Sequence, residues 1–281
     1  MKTHIRELQT LTSGIATSDG DGVKMTRIIG SPELNMLDPF LLFDAFESEQ
    51  ANDYIGGFPD HPHRGFETVT YLLAGRMRHK DSAGHEGVIE TGGVQWMTAG
   101  KGIIYSEMPE QEEGLLQGFQ LWINLPAKQK MQAPAYQEFT AAEIAVERLA
   151  NGTEIRVIAG VTNQGTTGAV MNHWLNPLYM DVTLPKNQIF EQTVNSEANV
   201  FIYIIDGELM VGESMRTIGR RKMGVLREGE QVRAKANKTT RFLLLAAQPL
   251  NEPVARGGPF VMNTKAEVLQ AFDDFKHNTF L

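Results

Sequence analysis

The chain has 281 residues, 42% of them apolar and 21% charged, enough for one large domain or two ordinary ones, each with its own core. Its formal charge of -8 disfavours nucleic acid as a direct ligand, because phosphate binding needs a dense basic surface. Cysteine is absent, which excludes disulfides, thiolate metal sites and thiol catalysis.

Met1 to Glu7 hold no apolar core for a signal peptide, and no run is long and apolar enough to cross a bilayer. A cytoplasmic protein without a membrane partner is expected. From Gly14 to Ile29, the turn residues Ser18-Asp19-Gly20-Asp21-Gly22 separate short apolar pieces and predict a hairpin. Phe40-Leu41-Leu42-Phe43 reads as a buried strand. Gly56-Gly57-Phe58-Pro59 then breaks the chain just before Asp60-His61-Pro62-His63-Arg64-Gly65-Phe66-Glu67.

Short strands follow at 67–73, 76–79, 87–90, 94–98, 103–108 and 117–124, cut by Ala74-Gly75, Gly92-Gly93 and Gly100 to Gly102. This tempo, with no long helical period, predicts an all-β chain of antiparallel sandwiches or barrels. Pro126 to Pro134 reads as a polar, proline-bounded linker. Beyond it strands recur at 155–159, 180–184, 200–205, 223–226 and 242–246. Tyr71 to Met77 and Tyr203 to Leu209 share one pattern, an apolar strand entering a small-residue–Gly turn and leaving as a strand. Two tandem β domains are expected, residues 1–134 and 135–281. The second lacks a His-x-His pair, with His173 near its start, so chemistry is assigned to the first. Thr264-Lys265-Ala266-Glu267 has the form of a capping box. Val268, Leu269, Phe272 and Phe275 then form a stripe at helical spacing, expected as core beneath a C-terminal helix.

Residues i and i+2 of a strand share a face, so His61 and His63 can point together, as can Tyr105 and Glu107. Glu67 falls on the face of the pair by parity. Two imidazoles and a carboxylate are the ligand set of non-haem Fe(II) oxygenases, although Mn, Ni, Cu and Zn accept the same donors. The ordinary readings are that Trp96, Trp122 and Met97 are core, with one of them available as pocket wall, and that His79, Asp81, His85 and Glu86 lie on a solvated turn.

The runs His61 to Thr68, Gln95 to Gly102, Ser106 to Pro109, Gln120 to Leu125 and Gly258 to Thr264 closely resemble the pirin family. The resemblance implies two tandem cupin-type jelly-roll barrels, with metal in the N-terminal one. It implies His61, His63 and Glu107 as metal ligands, with Glu67 a near neighbour. Where the family has a third His, this chain has Tyr105. Three outcomes stay open there: a phenolate ligand favouring Fe(III), a bystander beside a two-His, one-carboxylate site, or a lost site. The activity implied is that of a quercetin 2,3-dioxygenase, a flavonol-like aromatic substrate being opened with Glu107 or Glu67 as base. The alternative is a metal- or redox-sensing module with a protein partner. Iron is the first expectation for the metal, and a monomer for the oligomeric state.

Overall fold

The computed structural model describes residues 4–172 and 174–281; His173 lies outside them. Two compact units divide the chain, Ile15–Ala141 with Leu250–Leu281 and Met1–Gly14 with Ala142–Pro249. No helix among the described residues is long and apolar enough to cross a membrane.

The histidine-bearing unit has a seven-stranded antiparallel sheet in the order 135–139, 94–98, 66–74, 116–124, 40–48, 23–29, 15–19, and a four-stranded sheet in the order 58–63, 103–109, 76–81, 86–90. The other unit repeats the plan. Its seven strands run 8–12, 223–226, 199–206, 240–247, 178–184, 154–159, 145–148, and its four run 189–193, 231–236, 208–211, 216–219. The two turns read as a repeat occupy matching places, and Gly75 and Gly207 both take the left-handed backbone that a residue with a Cβ resists, at φ +95 and +90. The strand tempo, the hairpin at Ile15–Asp19 and Val23–Ile29, and the duplicated β plan all match the sequence expectation.

The units differ in what fills them. In the second, Phe190, Val232, Ala234, Leu209, Val211 and Ile218 join the facing sheet in one continuous apolar cluster. In the first, buried apolar residues fall into separate groups, one around Phe46, Leu72 and Met77 and another around Met97, Ile103 and Tyr105. Polar side chains interrupt them.

The expected division near residue 134 does not hold. Pro126 to Pro134 is no free linker, because Ala135–Phe139 pairs with Val94–Thr98 as an edge strand of the first unit's sheet. Nor do the ends follow sequence order. The strand Leu8–Thr12 pairs with Met223–Leu226, while the C-terminal helix Lys265–Lys276 packs on the ribbon Ala255–Gly257 and Phe260–Met262. Buried arginines anchor both ends. Arg6 donates to the carbonyls of Gly229, Arg227, Asn195 and Ser196. Arg64 donates to Asp274 at 2.6 Å and to the carbonyls of Lys101 and Phe280, with its guanidinium over the Phe280 ring.

Thr264 and Glu267 form the capping box. The helix stripe is only partly core: Val268 and Ala271 are buried, whereas Leu269, Phe272 and Phe275 are exposed. The helix lies on a narrow two-stranded ribbon, which covers fewer positions than a full sheet would. Phe272 packs edge-on to Phe260 and close to Gly257, and Phe275 edge-on to Phe280.

Lys130, in the supposed linker, is buried. Its ammonium donates to Gly65 O at 2.7 Å, Asn124 Oδ1 at 2.6 Å and Val261 O at 2.9 Å. Burial lowers its pKa from 10.5 to about 8, leaving it cationic at neutral pH. Lys130→Met would strand three acceptors. A loss of about 2–4 kcal/mol is expected in urea unfolding of the full chain, since a buried acceptor left unpaired costs about 1–3 kcal/mol. A loss below about 0.5 kcal/mol, the ordinary range for a surface substitution, would show that the ammonium ties nothing together.

Candidate metal centre and ligand cavity

The strands Phe58–His63 and Ile103–Pro109 pair antiparallel, with Tyr105 opposite His61 and Ile103 opposite His63. A register shift between Tyr105 and Glu107 marks a bulge, a device that re-aims side chains. The strand parity expected of His61 and His63 is realised, for their Nε2 atoms lie 2.8 Å apart. His61 Nδ1 lies 2.7 Å from the Pro59 carbonyl. A carbonyl only accepts, so Nδ1 carries the proton and Nε2 presents a lone pair. His63 is buried, and desolvation together with His61 holds its pKa well below the ordinary value.

This arrangement suits a metal in three respects. Two metal–nitrogen bonds of about 2.0–2.1 Å at right angles place the nitrogens about 2.9 Å apart. The second ring nitrogen of His61 is anchored on a carbonyl, the usual support of a ligating imidazole. Glu107 is buried, lines the same cavity as both histidines, and accepts from Thr70 and from Gln120 Nε2 at 3.4 Å. The gathering stops there. Among the described residues, no three histidine or acidic side chains are close enough together to hold one ion. The donor chemistry fits a transition metal, and the assembled geometry is a pair of imidazoles with a carboxylate on the wall.

Tyr105 is buried, and its hydroxyl donates to Gln95 Oε1. Burial, then Glu107 and Tyr136, push its pKa well above 10. Glu67 is buried too, but it accepts from Thr98 at 2.7 Å and does not line the cavity. His79 and Asp81, read as part of a solvated turn, are buried instead. His79 Nε2 lies 2.6 Å from Glu138 Oε2, which also accepts from Gln95 at 3.2 Å. Glu138 sits on the strand Ala135–Phe139, among residues the sequence reading assigned to the second domain, so this grouping had no local signal.

The cavity has a volume of about 500 Å³, within the range of small-molecule sites. Phe46, Phe58, Leu42, Met25 and Trp122 supply apolar wall; Asp19, Arg27, Asp44, Gln120 and Arg256 supply polar groups. Trp122 is therefore wall rather than plain core, its ring edge-on to His63 with centroids 5.2 Å apart. Arg27 and Arg256 gave no sign in the sequence, since neither lies near the histidines along the chain.

Two duplicated jelly-roll units, one filled by a continuous apolar cluster and one carrying a polar cavity with paired imidazoles, define a bicupin. The family model for pirin matches residues 22–123, and that for the pirin C-terminal cupin domain matches residues 179–281. The chain is 50% identical to a pirin-like protein of Caulobacter vibrioides, over 98% of this chain and 99% of that one. The crystal structure of a quercetin 2,3-dioxygenase from Acinetobacter baumannii superposes with a TM-score of 0.89, at 34% identity and covering 98% of each chain. The bacterial pirin YhhW of Escherichia coli, solved in complex with nickel(II), shares the fold with a TM-score of 0.65, at 20% identity over 84% of this chain and 95% of that one. This chain belongs to the pirin family.

Replacing His61 or His63 with Ala is expected to weaken Co(II) or Ni(II) binding at least a hundredfold in a calorimetric titration. Unchanged binding in both variants would place the ion elsewhere.

Proposed function

We propose that this pirin is a metal-dependent dioxygenase of the quercetin 2,3-dioxygenase type, acting on a flavonol-like aromatic. The observation that carries the reading is the convergence of two Nε2 atoms on a cavity of about 500 Å³ with a buried carboxylate on its wall. His61, with its Nε2 lone pair already turned inward, and His63, on release of its Nε2 proton, would hold the ion. Glu107 would complete the set on leaving Thr70 or Gln120. Iron is the first choice among the first-row metals that accept these donors. When bound, the ion supplies Lewis acidity towards substrate oxygens and redox chemistry towards dioxygen.

The chain's own groups account for the rest. Glu107 is the carboxylate placed to take the proton from the flavonol's enolic hydroxyl. Trp122, Phe46 and Phe58 flank the aromatic rings and exclude water. Tyr105, its hydroxyl held between Gln95 and Glu107, serves as a neighbour of that carboxylate rather than as a phenolate donor. Glu67 accepts from Thr98 and does not line the cavity, so the role of base is assigned to Glu107.

A second reading is a metal-responsive module without turnover, presenting its surface to a protein partner. It is favoured by the absence, among the described residues, of a third histidine or acidic group at ion-holding distance. Elemental analysis combined with oxygen uptake on quercetin separates the two. The dioxygenase should carry about one first-row ion per chain and consume oxygen, and Glu107→Gln should lower that rate about 10²-fold or more. A stoichiometric ion with no uptake would sink the enzymatic reading. Tyr105→His, which restores the family's third imidazole, should slow ion loss to a chelator at least tenfold. Unchanged loss would show that position 105 does not face the ion. Ferric loading of the native chain should give no phenolate-to-iron absorption band, and its appearance would make Tyr105 a ligand.

A further inference from the structure

Two guanidiniums line the cavity beside the histidines, and they are not equivalent. Arg27 is committed: its Nε and Nη2 bracket Asp44 at 3.0 and 2.7 Å, and Nη2 also meets Asp19 at 2.8 Å. Those two carboxylates are thereby used, while Glu107 is engaged by Thr70 and Gln120. Arg256, on the ribbon strand Ala255–Gly257, forms no ion pair among the described residues. Its Nη1 donates to the Leu41 carbonyl at 3.3 Å, and its guanidinium carbon lies 4.9 Å from the centre of the Trp122 ring. A guanidinium has five N–H donors, so most of its capacity is unspent.

We propose that Arg256 is the anion-recognising residue of this cavity, and that the ligand is a planar aromatic molecule bearing a carboxylate or phenolate on the edge it presents there. The proposal rests on the reading of the cavity as a substrate site and narrows the substrate class. The fork of a guanidinium matches an anionic oxygen pair, and its stacking on Trp122 extends a flat wall against which an aromatic ring can lie. Arg256 is solvent-exposed on its strand and lines the cavity, so a ligand anion would replace water at its unspent donors. The bland alternative is that Arg256 only covers Trp122 and caps the Leu41 carbonyl; it predicts no preference for charge.

The test is calorimetric, on full-length protein stripped of metal by a chelator so that an ion cannot itself attract the anion. The probes are two matched pairs, 2-naphthoate with 2-naphthamide, and 4-nitrophenolate with 4-nitroanisole at a pH where the phenol is ionised. Wild type should bind at least one anion ten times or more tighter than its neutral partner, and the pair that shows the preference identifies the group. Arg256→Met should reduce that ratio below twofold, and Arg256→Lys should retain part of it. If Arg256→Met does not melt cooperatively, Arg256→Gln, which keeps a donor for Leu41, carries the same expectation. A ratio near one for both pairs in wild type, or a ratio undiminished in the variants, overturns the proposal. Oxygen uptake on quercetin, run in parallel on metal-loaded protein, keeps the two claims apart. Uptake without anion preference removes this inference alone, and anion preference without uptake removes the dioxygenase reading alone.

Discussion

The buried ammonium of Lys130 joins three segments distant in sequence: the turn after the histidine strand at Gly65, the end of the central strand at Asn124, and the C-terminal ribbon at Val261. Burying an unpaired cation is costly, so the position is tolerable only because each of its three protons has an acceptor. Arg64 acts beside it, tying the same turn to Lys101, Asp274 and Phe280. The turn cannot loosen locally. Gly65 takes φ +90, and a Cβ there would stand 2.0 Å from the Val261 carbonyl. The motif residues Arg64 and Gly65 are thus explained without chemistry. They seat the strand that aims the two imidazoles.

That seating accounts for the contrast between the two units. Both fold the same seven- and four-stranded plan, yet one closes on a continuous apolar cluster while the other keeps its apolar residues in separate groups around polar ones. A polar cavity removes core contacts, and the first unit gains others from the last thirty or so residues of the chain, which pack on it as ribbon and helix. The same tail contributes Arg256, Gly258 and Pro259 to the cavity wall. One segment therefore serves both the stability of the unit and the composition of its site.

Tyr105 sets a phenol edge-on to His61 and next to Glu107. A phenol is larger than an imidazole and brings a proton that burial and Glu107 make hard to remove. The structure accommodates it by turning the hydroxyl to Gln95, which is linked through Glu138 to His79. In three dimensions Tyr105 is enrolled in a polar network with Gln95, Glu138 and His79.

The sequence by itself determined the strand tempo, the duplication, the capping box and the shared face of His61 and His63. Each depends on backbone periodicity or on neighbours a few residues apart. Only the tertiary structure decided that residues 126–139 belong to the first unit, that His79 and Asp81 are buried, that Glu67 turns to Thr98, and that Arg256 lines the cavity of the histidines. Those outcomes depend on strand register and on pairing between distant segments, 31 residues apart for Glu67 and Thr98 and 210 for Arg64 and Asp274. Local pattern carries no information about which distant acceptor a buried cation will find. For the same reason Phe272 and Phe275, whose spacing marks them as core, lie exposed: periodicity gives a helix its face, but the width of what lies beneath decides how much of that face is covered.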